Sequence, residues 1–184
     1  MSCRLGPNVS LESLNSGGTL MSFPAGHKVV HKTHGVGVIE GTEVLTLGGS
    51  PQDYYILKIL ESGLMVRFPK TSQGLIRELV NDDDIANILE ILRSSPKTYS
   101  TIWNRRKKEF SDKIRSGSLF EIAEVLRDLV GKDKLRIPSF GEKEMIERAR
   151  ARLISEIVAA KQTDVAAIEI LVDEALAFLE QASS

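Results

Sequence analysis

The sequence predicts an α+β chain of two domains, a small antiparallel β domain followed by a compact all-helical domain of about five helices. Three observations carry that reading. From residue 26 to about residue 80, short β-branched and aromatic runs alternate with Gly and Pro clusters, the mark of a small antiparallel barrel or strongly bent sheet. After Asn81 the apolar spacing changes from two to three-four, which is helical. And 184 residues, with 42% hydrophobic and 27% charged content, are enough for one domain or two small ones with ordinary cores.

The elements follow in order. "HKVVH" is a strand, "THGVGVIE" a turn and strand, and "TEVLTL" a further strand before a "GGSPQD" loop. "YYILKIL" and "GLMVRFP" are strands separated by "ES", and "LIRELV" closes the set. In "GLMVRFP" the period of two puts Leu64, Val66 and Phe68 toward the core and Met65 and Arg67 away from it. "NDDDIANILEILRS" starts a helix on acids that suit its positive end, with Ile85, Ile88, Leu89 and Leu92 as the stripe. The next helix is expected from Ser100 or Thr101 to about Arg115. Another starts at Ser118, with Leu119, Ile122, Ala123, Leu126 and Val130 inward, and stops at Gly131. A long helix runs from about Glu142 to Ala160. The last, from about Asp164, carries Ile168, Leu171, Val172, Ala175, Leu176 and Leu179 on one face. None of these stripes can be buried alone, so the helices pack together.

The first twenty residues, rich in Ser, Gly and Asn, show no period and carry one arginine. They do not read as a secretion signal. The expected organisation is a flexible extension over 1–20, a β domain over 21–80 and a helical domain over 81–184, with Met21 as the working start. No apolar run approaches the roughly 18 residues that span a bilayer. Cys3 is the sole cysteine, which excludes an intrachain disulfide and fits a reducing, cytoplasmic setting.

The formal net charge of -1 hides a separation along the chain. Residues 95–150 hold 14 Lys or Arg against 9 Asp or Glu, and the remainder carries a net -6. Residues 101–115 alone hold six basic and two acidic residues, around the single tryptophan, Trp103. Two readings of that tryptophan stand. On a helix, Trp103, Phe110 and Ile114 fall within about forty degrees of one another, which is a common buried stripe. Against it, Trp103 sits in the first turn, and Arg105, Arg106, Lys107 and Lys108 after it cover most of the helix circumference, where a buried helix would not be charged all round. Cations beside an exposed aromatic are the groups that neutralise phosphates and stack on or wedge between bases.

Enzymatic chemistry finds little support. No nucleophile, base and orienting group can be assembled, and "HGVGV" lacks the lysine and helix of a phosphate loop. His27, His31 and His34 lie close together, but with no thiol nearby a metal site is not expected; surface or turn roles are. "NDDD" is a helix start rather than a carboxylate site. No catalytic residue, metal or cofactor is therefore expected.

In order and spacing, "GHKVVHKTHGVGVIE", "YYILKI", "LMVRFP", "IWNRRKKEF", "EIAEVLRDL" and "GEKEMIERARARLISEI" make the chain resemble the CarD/CdnL family of bacterial RNA polymerase-binding transcription regulators, from about Met21 to Leu179. The resemblance implies a Tudor-like (SH3-like) β domain, shared with transcription-repair coupling factors, that docks on the polymerase β subunit. Arg67 matches a family arginine at that contact, while Leu45 stands where some members have a basic residue. It also implies a helical domain at the upstream edge of the melted promoter bubble. Trp103 would wedge into the minor groove there, with basic residues matching Arg105, Lys108 and Lys143 along the backbone; Arg106, in the same basic run, is expected to join them as a DNA-binding cation. Promoter DNA would be bound weakly and without sequence specificity, by a monomer. No helicase motif accompanies the β domain, so no ATPase activity is expected. The alternatives are a protein-interaction adaptor with Trp103 in its core, or a general RNA-binding module using the same cations.

Overall fold

The computed structural model describes residues 22–47, 49–97, 103–131 and 137–181. The expected extension over 1–20 and the start at Met21 lie outside them. Five strands, β1 (Lys28–His31), β2 (Gly35–Leu47), β3 (Ser50–Ile59), β4 (Met65–Pro69) and β5 (Ile76–Arg77), form one antiparallel sheet in the order β4-β3-β2-β1-β5. The helices α1 (Asp82–Arg93), α2 (Trp103–Ser116), α3 (Leu119–Val130), α4 (Phe140–Lys161) and α5 (Val165–Gln181) follow.

The sheet differs from expectation in three respects. Of the expected "GGSPQD" loop, Ser50 to Asp53 belong to β3 instead: β2 and β3 pair out to Leu47 and Ser50, giving a long hairpin. The gap foreseen between "THGVGVIE" and "TEVLTL" is a register shift between Ile39 and Gly41, a bulge inside one continuous strand. Pro51 is tolerated within β3 because β4 pairs only from Tyr54 to Lys58, so no ladder bond is asked of it on that side. Phe68, Tyr55, Leu57, Ile39 and Val29 form the core of this half, with Val66 packed against it. Leu64 does not join them: it precedes β4 and is 47% exposed.

His31 closes the β1–β2 turn. Its Nδ1 accepts the backbone N–H groups of Thr33 (3.2 Å) and His34 (3.3 Å). Burial, then His34 and Arg152, push its pKa below the ordinary histidine value, so that lone pair stays available at neutral pH. His27 instead faces Glu78 at 2.9 Å.

The helices begin where local chemistry says they should. Asn81 accepts the N–H of Asp84 (2.8 Å), and Asp84 accepts that of Asn81 (3.2 Å), a reciprocal cap. Ser139 and Glu142 repeat the device at α4, which is why that helix starts at Phe140, ahead of the expected Glu142. Ile85, Ile88, Leu92, Phe110, Ile114, Leu119, Leu126, Leu153, Ile157, Ile168 and Val172 build a single core among the five helices. Val130, expected in that core, is 38% exposed at the end of α3.

Sheet and bundle are joined by polar contacts. Arg77 donates to both oxygens of Glu156 (2.5 and 2.8 Å) and to the carbonyl of Gly117. Glu156 also accepts the N–H of Val80 (3.3 Å). Gly117, at φ +76°, lies so near the β1–β2 turn that a Cβ there would sit 2.9 Å from the Cα of Lys32. Only glycine permits both the conformation and the approach. Val30, Val36 and Ala159 pack beside this node.

Glu124 of α3 ties the chain after α1 to α2, accepting from Lys97 (2.5 Å) and Lys113 (2.7 Å). Partial burial pushes its carboxyl up, but the hydrogen bonds from Lys113 and Lys97 outweigh this and hold its pKa at about 2. A carboxylate depressed on folding stabilises the protein above its unfolded value of 4.5 and loses that contribution as pH falls toward 2. Glu124→Gln should therefore lower stability by about 1–2 kcal/mol at neutral pH. In urea unfolding across the acid range, the difference from wild type should shrink between pH 4.5 and 2.

Candidate nucleic-acid interface

Helix α2 has no acid in its own first turn, where its cations begin. Its backbone begins at Trp103; the side chain of Trp103 lies outside the described residues. Asn104, Arg105, Lys107 and Lys108 are exposed, while Phe110 and Ile114 are buried at 1% and 6%.

Arg106 is a correction to the expected set of DNA-facing cations. Its side chain is 4% exposed and its guanidinium lies 3.6 Å from Glu142, itself buried. A period of 3.6 explains the turn: Arg106 lies about forty degrees from Phe110, on the inward stripe. The helix is therefore not charged all round. One of its four consecutive cations is internal and three remain outside.

That inward pair also has an organising effect. Arg106 stands in the first turn of α2 and Glu142 in the first turn of α4, so the contact brings two helix N-termini to one end of the bundle. Lys143 is exposed next to Glu142 and thereby comes to the same end as Arg105 and Lys108. Phe140, the first residue of α4, is 85% exposed there, and Ile137 just before it 81%. Neither had been singled out from the sequence. The signal available was that Phe140 follows the capping serine and falls off the Met145, Ala149 and Leu153 stripe. The result is a surface of separated cations with an exposed aromatic ring, suited to a polyanion with hydrophobic faces. Among the described residues no group of three or more His, Cys, Asp or Glu could hold a metal ion, and no helix is long and apolar enough to cross a membrane.

Arg67 lies on edge strand β4, half exposed, with its Nε 2.5 Å from Glu43. Strand register puts Arg67 beside Ile56 and Gly41, with Glu43 and Leu45 following on the same face of β2. Val44, Leu60, Leu64 and Met65 are exposed apolar residues of the same half.

Comparison with known proteins assigns both halves. Residues 23–80 match the CarD-like/TRCF RID domain and residues 87–173 the CarD C-terminal domain. YdeB of Bacillus subtilis (strain 168), a transcription factor by name, is 31% identical over 141 residues, covering 76% of this chain and 92% of its own. CdnLNt from Myxococcus xanthus is 33% identical, covering 36% of this chain and 97% of its own, with a TM-score of 0.30.

Opposite behaviours are expected of two adjacent arginines. Arg106→Met leaves Glu142 buried beside an apolar side chain and should cost about 3 kcal/mol, of the size seen when one partner of a buried ion pair is removed. Arg105→Glu, on the exposed face, should change stability by no more than about 0.5 kcal/mol. Urea unfolding of the two variants measures the difference.

Proposed function

Because the chain belongs to the CarD/CdnL family and is a transcription regulator, we propose that it docks on the β subunit of RNA polymerase and stabilises the open promoter complex. In this reading residues 21–80 are the docking domain and residues 81–184 the DNA-directed domain. The observation that carries it is the meeting of the α2 and α4 N-termini at one end of the bundle. Arg105, Lys108 and Lys143 are exposed around it. These cations lie along the DNA backbone, and Trp103 enters the minor groove at the upstream edge of the bubble. Phe140 adds an apolar ring at the same end.

The physics of the step is a preference between two DNA states. Receiving a wedge requires a base step to unstack, which costs a few kcal/mol in closed duplex. At the edge of a bubble that cost has already been met. A ligand that binds the open state better shifts the population toward it, about tenfold for each ~1.4 kcal/mol of differential affinity. Backbone contacts and an inserted ring read charge and deformability rather than base edges, so sequence preference is slight.

Few cations serve this surface, so affinity for free DNA is low. Docking supplies what is missing by holding the helical domain near the bubble at high local concentration. Edge strand β4, with Arg67 and the exposed Met65, supports that role: an unpaired edge offers main-chain hydrogen bonds and Arg67 offers a charge. Glu43, now paired with Arg67, gives way to an acidic group of the polymerase.

Two substitutions test the two halves separately. Trp103→Ala should shorten the lifetime of open complexes formed by purified polymerase while leaving the thermal unfolding midpoint nearly unchanged. A midpoint lowered by several degrees, the consequence of losing ~3–5 kcal/mol of core aromatic, would assign the ring to the bundle and remove the wedge. Arg67→Glu should abolish polymerase pull-down without altering the weak affinity for duplex DNA; retained pull-down would reject the docking surface.

A further inference from the structure

A second cationic site, away from the α2 and α4 N-termini, lies where the sheet meets the bundle. The β1–β2 turn, the C-terminal half of α2 and the middle of α4 enclose a cavity of about 180 Å³. Lys32, Thr33, Ser111, Arg115, Arg148 and Arg152 line it, four cations and two hydroxyls with no carboxylate among the lining residues.

The cations are not neutralised by strong contacts. Arg115 meets Asp112 at 3.3 Å and Arg148 meets Glu144 at 2.8 Å. Both are pairs along one exposed helix face, of the kind that contributes little. Lys32 forms no salt bridge among the described residues. Arg152 is fixed in the wall: it donates to the carbonyl of Thr33, and a Cβ on Gly35 would lie 3.2 Å from its Nη1. Burial holds the Arg152 guanidinium below its ordinary pKa; Glu61 and Glu156 pull it up and Arg148 beside it pulls it down. The carboxylates near these four cations lie outside the lining and offset their mutual repulsion only in part, so a negative group inside the cavity would lower it further.

We propose that this cavity binds a phosphate-type oxyanion that clamps the β1–β2 turn to α2 and α4. The donor set favours that class. Guanidinium forks and an ammonium engage several oxygens of a tetrahedral anion at once, and the two hydroxyls donate as well. The volume equals that of several waters, room for a phosphate or a diphosphate group. The group belongs either to a nucleic-acid backbone or to a free phosphorylated molecule. Because the walls come from both halves of the chain, the bound anion adds a second tie between sheet and bundle beside Arg77 and Glu156. None of the residues assigned to promoter contact or to polymerase docking takes part, so the site stands or falls by itself.

The test uses the full chain without polymerase. Inorganic phosphate and pyrophosphate are titrated at constant ionic strength, against chloride, with the unfolding midpoint and calorimetric heat as readouts. Arg115→Gln/Arg148→Gln alters two exposed side chains, and Lys32→Gln probes the opposite wall from a turn. Lys107→Gln, exposed on α2 outside the cavity, is the control. Saturable stabilisation of wild type and Lys107→Gln, weakened at least tenfold in the other two variants, establishes a site for the free anion. If free anions do not saturate, duplex binding is measured as a function of salt. A slope of log affinity on log salt reduced by about one or more in Arg115→Gln/Arg148→Gln assigns the site to a backbone phosphate. Equal anion effects in all four proteins, or no saturation together with an unchanged salt slope, would overturn the proposal.

Discussion

The relation between sheet and bundle depends on one buried carboxylate. Glu156 is 2% exposed, a position a charged group occupies only when its oxygens are occupied by donors. Three arrive from outside α4: two guanidinium nitrogens of Arg77 and the N–H of Val80. Arg77 is in turn held by the carbonyl of Gly117, where α2 ends and α3 is about to begin. The last strand, the entry to the first helix, the α2–α3 corner and the middle of α4 therefore share one ionic node. Such a pair is weak as a source of net stability against an apolar replacement. Its directional bonds fix geometry, since a bidentate fork accepts only a narrow range of orientations.

A second internal pair repeats the logic at the other side of the bundle. Arg106 and Glu142 set the first turns of α2 and α4 against each other, and Glu142 also caps its own helix through Ser139. An interaction hidden from solvent thus determines which exposed groups are neighbours. Lys143 comes next to the α2 cations because the residue before it is buried against one of them. Surface chemistry at this end of the molecule is a consequence of core electrostatics.

What the sequence reveals follows the range of the forces involved. Periodicity and capping are local, so the α+β order, the five helices and most of their inward stripes are legible, down to Asn81 as a helix start. The face assignment of Val66 and Phe68 is legible for the same reason. Leu64 is not, because alternation cannot say where a strand begins. The Leu47–Ser50 hairpin is obscured by Pro51, which usually marks a loop and here is permitted by a missing strand neighbour. Arg106 is the more instructive case. A run of four cations looks uniformly solvated, and the carboxylate that draws one of them inward lies 36 positions away on another helix. Arg77 and Glu156 are 79 positions apart and carry no local signal at all. Phe140 escaped because exposed aromatics are defined by what they fail to touch.

The charge distribution also bears on how such a regulator acts at the right place. A chain with a net charge of -1 has little long-range attraction for DNA, since the acidic remainder opposes the +5 carried by residues 95–150. Burial of Arg106 removes one more cation from the outer surface. In the proposed mechanism a protein arranged in this way does not accumulate on the large excess of closed duplex. In the proposed mechanism that restraint makes docking decisive: the short-range wedge and backbone contacts act only when a partner carries them to a bubble. The ionic node at Glu156 then has a mechanical part to play, because a tether that leaves the helical end free to swing dilutes the local concentration that docking provides.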